Sequence, residues 1–580
     1  MKKSYIYKGI ASLMVAFSLT ACSGFLDKEP GSNQMTGDET FSDWKTMEQY
    51  HFDTYNFLLN GQDRVGNSWL DTATDLAENS YSSGGTRVSF NIGNYYATGA
   101  AAELSALWGE RYRAIRKCNM ILERIDKVPQ PTDISAETYQ RRLGYYKGEA
   151  HAFRAWFYWE LFLRFGPVPI IKEVLDPNGD LLTGYTTRPT IAEYCDFLIS
   201  ELDEAYNLVM EKAESDESGN QGRINKPVVL GLKSRILLYM ASPRFADESG
   251  VSWEEARDVA EQFVTLYSGD YRLNDNYTNA ILQNAYTENN PETIFYRNDG
   301  VQGWSSYGYN NCAPVGEGGN GGLCPSQNLI DMYDMANGSS PFAGYDETGA
   351  PIYINGAPTV NAASGYSDAS MWTGRDPRFA ASVLYQGVEW NGRNINVVRG
   401  GADNPIGNAN STPTGYYLRK YMPEIILQNN HTGSSSRDWI IQRYAEILLN
   451  YAEAENEVNG PNATVYELLD QIRHRGGITG NVADRTDLNT KEAMRNFIHK
   501  ERTIELAFEE HRWWDVRRWD VAVEALSRDI YGVDVAANGT ITRKVAQNRV
   551  FEEKMYLYPI PEAEEWKTGI ENNQGWTNNK

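Results

Sequence analysis

The sequence of residues 438–459, DWIIQRYAEILLNYAEAENEVN, is the strongest single indication of the fold. Apolar side chains return there at steps of three and four residues, which predicts an amphipathic helix. Ala445, Ala452 and Ala454 fall at positions where a second helix can approach closely. The stretch therefore predicts a helix that packs against neighbouring helices.

Helical periodicity of the same kind occurs on both sides of this stretch. Residues 144–165 are apolar on most sides and end at Gly166-Pro167, a helix stop. Paired helices at this spacing are typical of tetratricopeptide-like hairpins, although the repeats here are irregular. The sequence thus predicts a mainly α fold on a tetratricopeptide-like helical-hairpin scaffold. The other predicted helices are 41–59 (with Thr40 as N-cap), 101–127, 190–213, 225–241, 252–267, 463–474, 490–510 and 512–527.

A long segment between the two helical regions differs in kind from both. It is rich in glycine and contains short strand-like segments, and loops of such length in a compact protein are usually functional. We predict one domain over 41–580, with a helical scaffold at about 41–267 and 438–530 and a loop-rich ligand-binding lobe at about 268–437. Residues 60–100 are also predicted to be loop. The predicted strands are 383–390, 394–399 and 416–421.

The N-terminus has the pattern of an exported, lipid-anchored protein. A lysine-rich start precedes an apolar run at residues 10–21, which is too short to span a bilayer. Leu19-Thr20-Ala21-Cys22 closes the run, and small residues before a cysteine suit a lipoprotein signal peptidase. We predict a signal peptide at 1–21, a lipid on Cys22 and a flexible tether at 22–40; the alternative is an ordinary secretory signal with an incidental cysteine.

Charge and composition exclude some partners. The formal net charge is −23, and it becomes −26 once the three lysines of residues 1–21 are removed. Such a balance argues against a nucleic acid, and it disfavours a highly anionic polysaccharide unless a local basic patch overrides the mean. The 37 Tyr and 15 Trp outnumber the 19 Phe, a mixture suited to rings that offer an apolar face while their polar group contacts water. A neutral ligand or a protein partner is therefore favoured.

Cysteines and histidines give little sign of metal chemistry. Cys118 and Cys195 lie in helical patterns and are predicted to be buried thiols. Cys312 and Cys324 flank a glycine-rich loop and could form a disulfide in an oxidising compartment. The six histidines are not at ligand spacing and no Cys-x-x-Cys is present, so neither a metal centre nor a cofactor is expected. Asp- and Asn-rich loops could supply oxygen ligands for a structural calcium ion, although no calcium-loop pattern is met.

Seven short motifs, taken in this order, resemble those of the SusD/RagB family of Bacteroidetes outer-membrane lipoproteins. The resemblance covers nearly the whole chain, and each motif alone is weak. The motifs are Cys22-Ser23-Gly24-Phe25-Leu26-Asp27, the helix from Glu149-Ala150 to Pro169, Gly222-Arg223 with 232–239 (LKSRILLY), Asp376-Pro377-Arg378-Phe379, 443–454 (RYAEILLNYAEA), 501–519 with its EEHRWWDVRRW, and Tyr558-Pro559-Ile560-Pro561.

This resemblance implies a surface lipoprotein that captures a glycan and passes it to a SusC-like TonB-dependent porin, on which it sits as a lid. It implies binding without catalysis, in a shallow aromatic groove made by loops. Because the ligand loops of the family vary in length and residue, no binding position can be carried over to this sequence. The expected partners are the porin, an oligosaccharide or polysaccharide, and the outer membrane through the lipid on Cys22.

Residues 509–515, EEHRWWD, look catalytic at first sight, because His511 and Asp515 are four apart and could touch on one helix face. However, several arginines lie close enough to pair with the carboxylates, so we predict a structural cluster of ion pairs and aromatic rings.

Acidic residues elsewhere do not point to a catalytic pair. Arg443 is expected to pair with Glu446 and Glu453 along one helix face. Glycosidases need two carboxylates at a set separation, and no motif selects two of the 77 acidic residues. A surface glycan hydrolase is nevertheless kept as an alternative, as is a peptide-binding or protein-adaptor role on the same architecture.

Aromatic loops are the better candidates for a binding site. The C–H faces of sugar rings stack on Trp and Tyr, while their hydroxyls need Asn, Asp or Arg alongside. Residues 87–96 and 298–311 contain this mixture, and Trp372 lies in a third loop. The alternative is that several of these rings pack under their own loops, as we expect for Trp390. The predicted stacking residues are Trp304, Tyr307, Tyr309, Tyr95, Tyr96 and Trp372, and the polar ones are Arg87, Asn94, Asn298 and Asn311.

Overall fold

The structure is a computed structural model, and it describes most of the chain after residue 36. The described residues are 37–62, 64–65, 68–81, 85–97, 102–176, 179, 185–285, 287–305, 309–424 and 431–576. The predicted signal peptide, the lipid site at Cys22, most of the tether and Tyr307 lie outside these residues.

The N-terminal half of the scaffold contains the long helices that the periodicity predicts. The longest begins at Ser135, whose hydroxyl accepts a hydrogen bond from Thr138 N at 3.1 Å, and ends at Gly166 with φ of +69°. The elements are α1 (Gly37–Thr40), α2 (Trp44–Phe52), β1 (Ala77–Asn79), α3 (Gly85–Asn91), α4 (Leu107–Arg124), α5 (Ala136–Phe165), α6 (Ile191–Leu208), α7 (Lys212–Ser215), α8 (Lys226–Met240), α9 (Ala246–Ser249) and α10 (Trp253–Tyr267).

The lobe consists of short helices and short antiparallel strand pairs. Tyr333, Phe379, Trp390 and Tyr417 of the lobe belong to an apolar cluster that also includes Trp69, Phe508 and Val533 from other segments, so the glycine-rich segment is packed against the rest of the chain. The predicted burial of Trp390 is confirmed. The elements are α11 (Tyr277–Leu282), β2 (Thr293–Gly303), α12 (Tyr309–Cys312), β3 (Leu323–Pro325), α13 (Gln327–Met332), β4 (Tyr353–Ile354), β5 (Ala357–Pro358), α14 (Pro377–Ser382), β6 (Val383–Leu384), β7 (Glu389–Trp390), β8 (Arg393–Asn394), β9 (Tyr417–Leu418) and β10 (Ser434–Arg443).

The C-terminal half returns to helices and closes the scaffold. Helix α15, which contains the alanines singled out in the sequence, packs on α10 from the first half and on the two helices that follow it. The mainly helical fold is therefore as predicted. The elements are α15 (Tyr444–Asn459), α16 (Ala463–Arg475), α17 (Lys491–Glu505), α18 (Arg512–Arg518), α19 (Ala522–Leu526), β11 (Ile530–Val535), β12 (Ile541–Gln547) and α20 (Glu562–Thr568).

Residues 438–443, predicted as the start of a helix, are instead the end of strand β10. This strand pairs antiparallel with β2, and Trp439 and Ile440 are buried between the ribbon and the core. The helical period misled the prediction because the partner strand lies about 140 residues earlier in the chain. Arg443, in extended conformation, is the N-cap of α15.

Other boundaries also shift for local reasons. Thr40 ends α1, and the N-cap of α2 is Asp43, whose carboxylate accepts a hydrogen bond from Thr46 N at 3.0 Å. Residues 60–100 contain β1 and α3 rather than loop alone. The helix predicted over 512–527 is two short helices, since Asp520 between them has φ of +63°. Among the predicted strands, only two-residue pieces form ladders.

The ion pairs predicted for Arg443 are wrong. Glu446 pairs with Arg235 on α8 at 2.6 Å, and Glu453 pairs with Arg518 on α18 at 2.5 Å. Arg443 lies at the end of β10, before α15 begins, so it does not share a helix face with either glutamate. These pairs join different helices instead of reinforcing one.

Arg443 belongs to a buried network that joins the lobe to the scaffold. Its guanidinium contacts Glu292 at 2.6 Å, Glu505 at 2.7 Å and Glu509 at 2.6 Å. Arg378 of the lobe also reaches Glu505, at 3.2 Å. Surrounding arginines lower the pKa of Glu505 far below its usual value although burial opposes this. Glu505 is therefore ionised, and the network is bonded on both sides of the lobe–scaffold boundary.

The disulfide considered for Cys312 and Cys324 is not formed. Both are free buried thiols, and Cys324 Sγ donates weakly to the carbonyls of Gly321 and Gly322 at 3.5 Å. Burial raises the pKa of the Cys312 thiol to about 11. Cys118 and Cys195 are buried thiols, as predicted.

Candidate functional site

The β2–β10 ribbon carries the candidate site at its end. Trp304 follows the last residue of β2 and is half-buried. Its ring stacks on His431, with centroids 3.8 Å apart and planes 7° apart. His431 has a backbone φ of +66°, which is uncommon for a residue other than glycine. The ribbon therefore ends in two parallel rings near the surface.

Polar side chains line the same ribbon around Asp299, several residues before Trp304. Asn60 Nδ2 donates to Asp299 at 2.7 Å, and Arg297 Nε donates to the other oxygen of Asp299 at 3.0 Å. Arg437 on the partner strand donates to Asn60 Oδ1 at 3.4 Å. Asn298 donates to Asp438 at 2.7 Å. Donors and acceptors are thus held in place by one another at the ribbon surface.

A polar cleft of about 570 Å³ opens where the loop after α2 meets this ribbon and α4. Asn56, Asn60, Glu110 and Arg297 line its open part. Three arginines and three carboxylates are among the described residues that line the cleft, so their charges balance. Such a surface suits a neutral, hydroxyl-rich molecule better than an ion.

Close packing sets the position of the loop beside the ribbon. A Cβ atom on Gly61 would lie 1.9 Å from Trp439 Cζ2, so only glycine can lie against this ring. Trp439 is itself stacked on Tyr421, with centroids 5.4 Å apart, and contacts Trp69 edge-on at 5.7 Å. The aromatic stack below the ribbon therefore fixes the distance between the loop and Arg297.

The structure places the predicted residues of 298–311 in different environments. Trp304 is at the ribbon end and Asn298 is on the ribbon, whereas Tyr307 lies outside the described residues. Tyr309 is only 3% exposed, on α12 against Arg437, and burial raises its pKa to about 12. Its ring has no free face for a sugar, so Tyr309 is corrected to a packing residue. Asn311 accepts from Asn320 Nδ2 at 3.3 Å.

The predicted residues of 87–96 do not form one site. Arg87 is buried in an ion pair with Glu78, and Tyr95 is buried among Phe90, Tyr558 and Trp576. Both are corrected to structural residues, because their polar or aromatic groups are already covered. Two neighbours remain exposed, Asn94 and Tyr96, beside the C-terminal segment.

Trp372 is half-buried in the lobe. Its Nε1 donates to Tyr416 Oη at 3.0 Å, and its ring lies tilted on Tyr385 with centroids 5.4 Å apart. One edge is thus used for packing.

Residues 509–515 form the structural cluster that the sequence predicts. Asp515 is buried and accepts from Arg502 and from Arg518, each at 2.8 Å, in place of the side-chain contact considered with His511. Burial and the neighbouring arginines hold the pKa of His511 well below its usual value, so the imidazole is neutral. No group of three His, Cys, Asp or Glu among the described residues is placed to hold a metal ion.

Sequence reasoning missed His431, Asn60 and Arg437. Asn60 precedes β1, whereas the other two residues lie on or just before β10, and only the ribbon brings them to Asp299 and Trp304. A local signal existed for Asp299 and Arg297, which lie at the start of the aromatic loop that the sequence singled out.

Two family models match the chain. The model described as "SusD family" matches residues 291–576, and the model described as "Starch-binding associating with outer membrane" matches residues 24–238. SusD-like protein P38 of Formosa agariphila is 22% identical over 526 residues, which cover 88% of this chain and 90% of that protein.

Solved structures show the same fold. A SusD-like protein from Bacteroides fragilis superposes with a TM-score of 0.73 at 25% identity, covering 93% of this chain and all of that one. A second protein from that organism, described as SusD-like and carbohydrate binding, has a TM-score of 0.70 at 22% identity, with 91% and 99% covered. Within the described residues, no helix has the length and apolarity needed to cross a membrane. The agreement of sequence, fold and relatives over nearly the whole length places this chain in the SusD/RagB family.

Proposed function

We propose that this protein is a cell-surface lipoprotein that captures an oligosaccharide or polysaccharide and delivers it to a SusC-like TonB-dependent outer-membrane transporter. The observation that carries the proposal is a single ribbon with the half-buried Trp304 ring at its end and, further back at Arg297, a polar cleft whose described lining residues balance in charge. The family model for starch binding at the outer membrane, and the carbohydrate-binding relative from Bacteroides fragilis, support the same ligand class.

Binding needs only stacking and hydrogen bonds. The Trp304 indole offers an apolar face to the C–H groups of a sugar ring, and one such contact can dominate the affinity of a small interface. Asn60, Arg297 and Asp299, further back along the same ribbon, then exchange hydrogen bonds with hydroxyl groups of other sugar units of the chain. We therefore place the glycan along the ribbon and into the cleft, with Trp372 and Tyr96 as further stacking candidates elsewhere on the surface.

The test compares two tryptophans. Affinity electrophoresis against a panel of neutral polysaccharides should show retardation of the wild-type protein by at least one glycan. Trp304→Ala should abolish that retardation. Trp566→Ala is the matched control, because Trp566 is 74% exposed on α20, away from the ribbon, and its loss should leave retardation unchanged. Full binding by Trp304→Ala would refute the proposed site.

Catalysis is tested on the same glycan. We expect no new reducing ends after incubation of the protein with the glycan that it binds, because the proposal requires no bond cleavage. Release of reducing ends that disappears on removal of a single carboxylate would favour the hydrolase alternative.

Membrane attachment is proposed to depend on Cys22 and its tether. Cys22→Ser should release the protein from the outer membrane and stop uptake of the glycan, while binding in solution stays intact. Co-purification with a TonB-dependent porin tests the partner, and a porin-bound protein that retards on no glycan would favour the protein-adaptor alternative.

A further inference from the structure

A second cleft, of about 340 Å³, opens on the scaffold between the segment before α6, the end of α8, helix α18 and the C-terminal segment. Tyr239 and Trp514 form its buried floor, and Phe245 and Tyr556 add further rings. Exposed residues such as Thr190 and Gln574 surround its mouth. No ribbon residue is among those that line this cleft, and it shares no lining residue with the polar cleft described above.

Arg517 lines this cleft as a buried cation without an acidic partner. Its side chain lies 3.6 Å from the centre of the Trp513 ring and donates to the carbonyls of Trp513 at 2.7 Å and Met555 at 3.4 Å. Among the described residues, no carboxylate lies within salt-bridge distance of its guanidinium; the nearby groups that favour its charge are tyrosines. Burial lowers its pKa to about 10.

Arg188 lines the same cleft and also lacks an ion pair among the described residues. It donates to the carbonyls of Pro167 and Phe165, each at 2.6 Å, and to Asn573 Oδ1 at 2.8 Å. Burial lowers the pKa of Arg188 too. Both cations are therefore solvated by neutral dipoles, which leaves their positive charge uncompensated.

The other arginines of the same short helix show the contrast. Arg512 contacts Asp75 at 2.7 Å and Arg518 contacts Glu453 at 2.5 Å, so each buried cation of α18 except Arg517 has a carboxylate. Buried charges are normally paired, because an unpaired charge loses its hydration and gains no attraction to an opposite charge. In a chain of net charge −23, an unpaired cation at a cleft is the exception that needs an explanation.

The lining of the cleft is correspondingly basic. A third arginine, Arg244, lies half-buried at the mouth, where Asp520 and Glu553 hold it at 2.9 and 2.8 Å. Glu248 is the one carboxylate among the described lining residues, and it is exposed at the rim. The floor thus combines aromatic faces with two cations, whereas the cleft beside the ribbon balances its charges.

We propose that this second cleft binds a small oxyanion, a carboxylate or phosphate on a compact ring-shaped or apolar body. The oxyanion would lie beside Arg188 and Arg517, and the body would lie on Trp514 and Tyr239. A sugar acid and a sugar phosphate both carry this chemistry. Binding there does not depend on the proposed glycan site.

The first experiment uses the full-length protein and four probes at constant ionic strength: sodium glucuronate, sodium acetate, inorganic phosphate and neutral glucose. Glucuronate should bind saturably in calorimetry and raise the melting temperature of the protein. Glucose is tested on Trp304→Ala, which lacks the proposed glycan site, and there it should neither bind nor raise the melting temperature. A higher affinity for glucuronate than for acetate supports a sugar acid as the ligand. A higher affinity for phosphate than for glucuronate supports a phosphate ester. Absence of saturable binding by all three anions would overturn the proposal.

Two variants locate the site. Arg188→Gln should lower the affinity for the anion by about tenfold or more, since a charge-assisted hydrogen bond is lost. Because Arg188 also holds backbone carbonyls, Gln574→Glu is the second variant: it adds a negative charge at the exposed mouth without disturbing buried contacts. It should weaken anion binding several-fold at an unchanged melting temperature of the free protein. If Gln574→Glu and Arg188→Gln each bind the anion as tightly as the wild-type protein does, the proposed location is refuted.

Discussion

Residues 509–518 and residues 297–304 contain the same kinds of side chain, tryptophan beside arginine and carboxylate, but they differ in exposure. In the first segment Asp515 and Arg518 are buried and bonded to each other at 2.8 Å. In the second, Arg297 and Trp304 are half-buried at the ribbon surface. The segment that looks catalytic in sequence therefore stabilises the fold, and the less conspicuous one is available to a ligand.

The comparison shows that residue type alone does not assign a role. Asp515 is buried between two arginines, so a substrate cannot reach its remaining lone pairs, whereas Asp299 is partly exposed on the ribbon among groups that can exchange partners with hydroxyls. Four substitutions test this division between a structural and a binding region, from the largest expected effect to the smallest.

Glu505→Gln should give the largest effect, on stability alone. Glu505 contacts Arg443, Arg378 and Arg475, so removal of its charge leaves buried cations uncompensated. We expect a loss of about 3–5 kcal/mol in the free energy of unfolding, measured by urea denaturation. Glu564→Gln, which removes an exposed pair with Lys567, is the control and should cost about 0–1 kcal/mol. A loss of stability as small as that of the control would contradict the structural role assigned to this buried network.

Gly61→Ala should affect both stability and binding, because Gly61 joins the loop to the aromatic stack under the ribbon. Its new methyl group would overlap Trp439, and such overpacking costs about 1–3 kcal/mol. The displaced loop should also weaken glycan binding, as seen by affinity electrophoresis. Gly109→Ala is the control, because nothing lies within 4 Å of the Cβ position there. Unchanged binding in Gly61→Ala would separate the loop from the site.

Asp71→Asn tests a buried carboxyl between the two regions. Burial, followed by the nearby Glu510, raises the pKa of Asp71 from 3.8 to about 7. The folded protein therefore holds a proton on Asp71 that the unfolded chain releases near pH 4, so this stability is present in acid and is lost as the pH rises from about 4 to 7.

Asparagine cannot lose that proton. The free energy of unfolding of Asp71→Asn, relative to wild type, should therefore rise as the pH increases from about 4 to 7, with no change in glycan affinity at either end of this range. Equal pH profiles of the two proteins in chemical denaturation would contradict this assignment.

His431→Ala should give the smallest effect, on binding alone. His431 covers one face of Trp304, and a sugar that uses this face must displace it. Its removal should raise glycan affinity about two- to threefold, since a stacked ring pair contributes about 0.5–1.5 kcal/mol and part of that is recovered in solvent. Calorimetric titration measures the change. A loss of affinity would instead make His431 part of the stacking platform.

Prediction from the sequence succeeded where the signal was local. The helix that ends at Gly166, the burial of Trp390 and the structural nature of residues 509–515 all follow from neighbours within a few residues. It failed where a distant segment decides. Residues 438–443 form a strand because of β2, and Tyr309 is buried because α12 turns its ring toward Arg437.

The candidate site shows the same limit more sharply. Trp304 was found because aromatic and polar residues cluster around it in the sequence. Asn60 and His431 were not found, because they lie in other segments and reach the site only through the ribbon.

The sequence by itself determined most of the long helices and the membership of a family, because helical periodicity is set within one or two turns of chain. Only the tertiary structure decided which aromatic rings are covered, which arginine finds a carboxylate and which glycine must remain a glycine. Burial and pairing depend on residues hundreds of positions apart, and the physical cost of an exposed ring or an unpaired charge exists only once those residues are brought together.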